Sequence, residues 1–163
     1  MRRILYFLIT TLLMSSCSVS KLAHKEPELL IDESQMTASI EKSIGELIEG
    51  QWMTDFLLEK NERPVIVISR IVNNTKAKIN KEKVNEAIEF AILNSGQARV
   101  VKTTESQRIL NPIELAKVSS VDFVLSVTLL KDFNIAPASS FLEISLWNES
   151  SVEPISRIKT EIE

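Results

Sequence analysis

Along the chain the spacing of apolar residues changes from continuous, to sparse, to helical, to strand-like. Ile4 to Met14 form an apolar run broken only by Thr10 and Thr11, behind the basic pair Arg2 and Arg3. Residues 18–34 are mostly polar, with Leu29, Leu30 and Ile31 as a short exception. From Met36 the period turns helical. Met36, Ile40, Ile44, Leu47, Ile48, Trp52, Phe56 and Leu57 recur mostly three or four apart, which predicts an amphipathic helix. Ser34 or Thr37 is its expected cap. Gly45 and Gly50 weaken it, each by about 1 kcal/mol against Ala. The stripe is expected to pack on the protein's own sheet.

Pro64 opens the run Val65-Ile66-Val67-Ile68-Ser69-Arg70-Ile71-Val72, and Pro is tolerated at the first residue of a strand. A nearly continuous β-branched run predicts a strand covered on both faces. Asn80 caps a second predicted helix through about Asn94, with Val84, Ala87, Ile88, Ala91 and Ile92 on one face. Gly96 suits the left-handed position that follows it. Ala98 to Thr103 read as a second strand. Pro112 to Val118 read as a short helix with Pro in its first turn. Asp122 to Leu130 read as a third strand. Phe141 to Trp147 and Ile155 to Ile162 alternate around the turn residues Glu149-Ser150-Ser151, so the chain is predicted to finish as a hairpin. The order α-β-α-β-α-β-β-β predicts an α/β (α+β) fold: a single mixed β-sheet of about five strands with helices packed on it.

Composition narrows the chemistry. With 163 residues the chain suggests one domain, large enough to bury a core without disulfides. A formal charge of −3 argues against a nucleic-acid surface. One Cys excludes an intrachain disulfide and a Cys-based zinc site. The one His, His24, lies in the polar stretch, where nothing would hold it for catalysis. Three scattered Gly cannot build a phosphate loop, and no G-x-S-x-G elbow appears. The pairs Glu59 with Glu62 and Glu161 with Glu163 read as solvated faces. Trp52, Phe56, Phe90, Phe123, Phe133, Phe141 and Trp147 are expected to pack in the core or the hairpin. Asn73-x-Thr75 and Asn148-x-Ser150 match the glycosylation pattern by chance. The expectation is a protein that is not an enzyme, with no metal, cofactor or small-molecule substrate.

The N-terminus adds a location. Ile4 to Met14 is eleven residues, short of the roughly 20 that span a hydrocarbon core and the length of a signal-peptide apolar region. Met14-Ser15-Ser16-Cys17 resembles the bacterial lipobox. That resemblance implies cleavage before Cys17 and acylation of its thiol and new α-amine. The expected organisation is then a signal peptide at 1–16, a lipidated tether at 17–34 and a folded domain at 35–163. Several acyl chains hold a protein firmly where one binds only marginally. Ser18, in place of the Asp that retains enteric lipoproteins in the inner membrane, implies the outer membrane, on its periplasmic face. As a flexible coil the tether spans roughly 25 Å.

Three segments carry a wider resemblance. The first is Pro64 to Asn80: an apolar strand, then Asn73-x-Thr75, a few polar residues and Ile79-Asn80 opening a helix. The second is Asn94-Ser95-Gly96 followed by Ala98-Arg99-Val100-Val101. The third is Ser120-Val121-Asp122-Phe123-Val124-Leu125. Together they resemble the LpoB-like family, lipoprotein activators of penicillin-binding proteins, related in fold to CsgG-like proteins and the TolB N-terminal domain. Asn73, Thr75, Ile79, Asn80 and Asp122 fall on family positions and are read as a shape signature, since Asn and Thr side chains bond readily to nearby backbone. The family's Gly and Ala before the Asp are replaced by Ser120 and Val121. The family's long Pro-rich tether is absent. The resemblance implies a non-enzymatic lipoprotein that docks on a bifunctional penicillin-binding protein and stimulates peptidoglycan synthesis. The alternative on the same scaffold is a periplasmic scaffold or assembly lipoprotein of the cell envelope.

Overall fold

The computed structural model describes residues 31–104, 106–132 and 139–162. Helix α1 spans Glu33–Ile48. Its cap is Asp32, ahead of the expected Ser34 or Thr37. Asp32 accepts hydrogen bonds from the Ser34 N–H at 3.0 Å and the Ser34 hydroxyl at 2.9 Å. The backbone bond first, then the hydroxyl, holds the Asp32 carboxyl below its ordinary value. The helix starts before the apolar stripe because the cap, not burial, sets its first turn. Ile31 packs on the core just ahead of the cap, and Met36 is buried at the fourth helical position. That is the placement of a hydrophobic staple.

The long helical pattern breaks once, at Gly50. The backbone there is extended, and α2 follows over Gln51–Lys60. A Cβ on Gly50 would meet Trp52 Cδ1 at 2.9 Å and the Leu47 carbonyl oxygen at 3.0 Å. Only glycine lets the Trp52 indole fold back there, where its N–H donates to that carbonyl at 2.6 Å. Gly45 stays inside α1 with open space around it. Asn61 closes α2 in the left-handed conformation.

Five strands form one sheet in the order β2-β1-β3-β4-β5. They are β1 Val65–Asn73, β2 Arg99–Val101, β3 Phe123–Asp132, β4 Ser139–Trp147 and β5 Ser156–Ile162. β1 runs parallel to β2 and β3, while β3, β4 and β5 are antiparallel. β2 is shorter than the strand predicted over 98–103 because it pairs only with Val65 to Val67 at the sheet edge. The terminal hairpin forms as the alternation predicts.

Two helices join the parallel strands: α3 (Lys81–Ser95) between β1 and β2, and α4 (Pro112–Ser119) between β2 and β3. The first connection steps to one side of β1, and the second steps back past it. Parallel crossovers are right-handed almost without exception, so the two connections lie on opposite faces. α1 and α3 cover one face, over Ile66, Ile68, Ile71, Leu125, Leu129, Ile144 and Leu146. α4 covers part of the other, where Leu115 and Ala116 meet Val67 and Val124. The strand β1 is thus covered on both faces only in its first half, and Arg70 beyond it is exposed. A bulge between Ile68 and Ile71 adds one residue to β1 against β3, which keeps Ile71 on the same face as Ile68. The Ser43 and Thr160 hydroxyls, 2.7 Å apart, join α1 to β5.

The aromatics divide. Trp52 and Phe56 pack edge-on against Phe123, with ring centroids 4.9 and 5.3 Å apart. Trp147 packs beside α4. Phe141 lies half-buried on the open sheet face under the Lys159 ammonium, 4.2 Å from its ring centre. Phe90 departs from expectation: it is 58% exposed. It sits on α3 opposite the stripe of Val84, Ile88 and Ile92, so packing that stripe turns Phe90 outward. Phe133 lies outside the described residues. Ile88→Ala should therefore lower stability by about 2–5 kcal/mol, the usual cost of a truncated buried aliphatic. Phe90→Ala should change it by less than about 0.5 kcal/mol. Urea unfolding of both variants checks the pair, and equal losses would contradict this packing.

Candidate functional site

The sequence-predicted residues do not gather at one place. Asn73 ends β1, and its amide N–H donates to the Ala77 carbonyl at 2.8 Å. Its side-chain oxygen accepts from the Thr75 N–H at 2.9 Å and the Thr75 hydroxyl at 2.7 Å. The Thr75 oxygen in turn accepts from the Ala77 N–H at 3.2 Å. All four bonds are internal to the loop. Asn80 caps α3, accepting from the N–H groups of Glu82 and Lys83. Ile79 packs partly buried against the main core. It lines a small cavity of about 90 Å³ with Ile31, Met36 and Val84.

Asp122 lies at the other end of the sheet. Its Oδ2 accepts from the Val65 N–H at 2.8 Å, and its own N–H donates to the Val65 carbonyl at 3.1 Å. The two ends are separated by the length of β1, nine residues or about 26 Å at 3.3 Å per step. Cys17 and His24 lie outside the described residues. Among the described residues no group of three or more His, Cys, Asp and Glu side chains could hold a metal ion. No described helix is long and apolar enough to cross a membrane.

The larger concavity opens at the Asp122 end. It is an open cleft of about 710 Å³ between α2 and the turn that joins β4 to β5. Trp52, Phe56 and Phe123 form its aromatic lining, and Asp55, Glu59, Asp122 and Glu149 bring carboxylates to it. Lys60 is the cation in the lining and pairs with Glu59 at 3.3 Å. Sequence reading missed this cleft. Trp52, Asp55, Phe56 and Glu59 recur at helical spacing, which is a visible signal. Glu149 and Ile155 reach it from a turn some ninety positions away, which is not.

The family model for the peptidoglycan-synthase activator LpoB matches residues 35–125. This chain belongs to the LpoB family. The solved C-terminal domain of LpoB from Salmonella enterica superposes with a TM-score of 0.58 at 15% identity, covering 78% of this chain and 98% of that one. The same domain from Escherichia coli gives 0.58 at 14% identity with the same coverage. The solution structure of Escherichia coli LpoB gives 0.55 at 14% identity, over 78% of this chain and 66% of that one. At such identities the likeness shows the LpoB fold. No curated protein sequence matches the chain.

LpoB membership gives meaning to one departure. Ser120 closes α4 with φ at +50°, in the left-handed region, where the family resemblance has Gly. A side chain there costs on the order of 1 kcal/mol. Ser120→Gly should raise stability by about 0.5–1 kcal/mol, the gain being trimmed by the freer unfolded chain. A higher urea midpoint with an unchanged slope is the expected result. A lower midpoint would mean that Ser120 makes a favourable contact the geometry does not account for.

Proposed function

We propose that this chain is an envelope lipoprotein, acylated at Cys17 and held at the periplasmic face of the outer membrane. There it stimulates a bifunctional peptidoglycan synthase by docking on it. The LpoB family match over residues 35–125 carries the reading. Docking alone can activate an enzyme. It requires only that the partner's active state bind more tightly than its resting state, so the lipoprotein supplies no catalytic residue. The organisation follows the sequence reading: a signal at 1–16, a tether from Cys17, and a folded domain to residue 163.

Reach limits the partner. α1 begins at Glu33 and Ile31 already packs on the core. About 15 residues therefore separate Cys17 from the folded part, roughly 20 Å as a coil and at most roughly 54 Å extended. A domain of this size has a radius of gyration near 14 Å, by the usual scaling of about 2.2·N^0.38. The synthase must extend its own periplasmic domain toward the outer membrane. This short reach is also what favours the second reading, a periplasmic scaffold or assembly lipoprotein on the same fold.

Cys17→Ala should move the protein from the membrane pellet to the soluble periplasm, or leave uncleaved precursor. Equal incorporation of labelled palmitate by the variant would refute the anchor. In a polymerisation assay with lipid-linked precursor, the purified protein should bind a bifunctional synthase of its own host and raise its rate. If no host synthase binds or responds, the scaffold reading replaces this one.

A further inference from the structure

We propose that the cleft between α2 and the β4–β5 turn docks a lysine- or arginine-bearing segment of the protein partner. The proposal rests on the synthase-docking reading above, and it names the surface and the chemistry of the contact.

Position comes first. The chain enters the domain at Ile31, at the pole formed by the start of α1, the loop after β1 and the start of α3. Lys83 pairs there with Glu33 at 2.6 Å. α1 has 16 residues and carries the chain about 24 Å away from that pole. The cleft lies at the far end, around α2 and the first residues of β1 and β3. It is therefore the part of the domain turned away from the tether. Among the large exposed hydrophobics, Ile155 in the β4–β5 turn lies in the cleft lining. Among the described residues none falls on α1 or on the loop 74–80.

Chemistry then selects the occupant. The aromatic lining is built in advance. Phe123 is held edge-on between Trp52 and Phe56, and the Trp52 indole is pinned to the Leu47 carbonyl above Gly50. Such a surface needs little ordering when a partner arrives. Asp55, Glu59 and Glu149 surround it, all exposed. Asp55 accepts from the Gln51 amide at 2.8 Å, and Glu59 shares Lys60. Glu149 has no ion-pair partner among the described residues. Aromatic faces attract cations through their quadrupole, and carboxylates form their strongest hydrogen bonds with charged donors. A lysine or arginine satisfies both, and its apolar stem covers ring surface. An anionic segment would meet the like charges of four carboxylates, since Asp122 also lines the cleft.

The test measures affinity of the acylated protein, in detergent, for the periplasmic part of each host bifunctional synthase. It compares wild type with Glu149→Lys, with Asp55→Lys, and with Glu82→Lys at the tether pole. Thermal melting confirms that each variant is folded. The expected result is at least tenfold weaker binding for both cleft variants and none of that loss for Glu82→Lys. Wild-type affinity should fall with added salt. Exchanging a basic residue of the synthase for Glu should restore binding to Glu149→Lys. If wild type binds and the cleft variants bind equally well, the inference is overturned while the proposed function stands. If wild type binds no synthase, the proposed function falls and this inference with it. Pelleting with purified sacculi that is lost in Glu149→Lys, with synthase affinity unchanged, would assign the cleft to the cell wall and overturn the choice of a protein segment.

Discussion

The parallel pairing of β1 with β3 is the constraint on which the rest of the molecule depends. The two strands are distant in sequence, and between them the chain must make β2 and two helices. Asp122 fixes where they meet. Its carboxylate and its N–H both bond to the backbone of Val65, which aligns Ile66 with Phe123 and Val67 with Val124. That register places Ile66, Ile68, Phe123 and Leu125 on the side covered by α1 and α3, and Val67 and Val124 on the side covered by α4. A one-residue slip would exchange the faces. The bulge before Ile71 then corrects the phase, so that Ile71 and Val127 continue the larger core.

Unequal coverage of the two faces follows from that pairing. α1 and α3 are long enough to cover the length of the sheet, and they bury the face of β3 and β4 that carries Phe123, Leu125, Val127, Leu129, Leu142, Ile144 and Leu146 together with the hydroxyl of Ser140. α4 has only eight residues and covers one end of the opposite face. Beyond it the sheet carries mixed residues. Glu143 faces Arg157 at 3.9 Å and Lys159 sits over Phe141. This face is hydrated yet not bare, because long charged side chains shield the aromatic ring. β5 stands at the sheet edge with Arg157, Lys159 and Glu161 along it, and charge on an edge strand discourages pairing with other chains.

The domain is polar along its long axis. At one pole the Asn73–Thr75 loop closes on itself and the caps at Asp32 and Asn80 satisfy the starts of two helices. Few exposed apolar groups remain there. At the other pole a glycine break turns the chain into α2 and leaves aromatic and aliphatic side chains beside an open cleft. The docking proposed above needs such a division: one end that accepts the incoming chain, and one surface that the protein's own packing leaves open.

The sequence by itself determined the local elements and their faces. Spacings of three and four in Met36 to Ile48 and in Val84 to Ile92 placed two helices and their buried stripes. The β-branched run from Val65 placed β1, and alternation placed the final hairpin. Asn80, Gly96 and Pro112 marked helix ends because capping is a property of a few adjacent residues. The order of the elements was enough for a mixed sheet. Only the tertiary structure decided what depends on distant residues. Phe90 was read as core, but the phase of Val84, Ile88 and Ile92 turned it to solvent. Asp32 displaced Ser34 and Thr37 as the cap, since all three can cap and only geometry selects among them. The opposite placement of α3 and α4 required the strand order. The cleft required α2 and the β4–β5 turn to meet, and no local pattern can encode a meeting of segments some ninety residues apart.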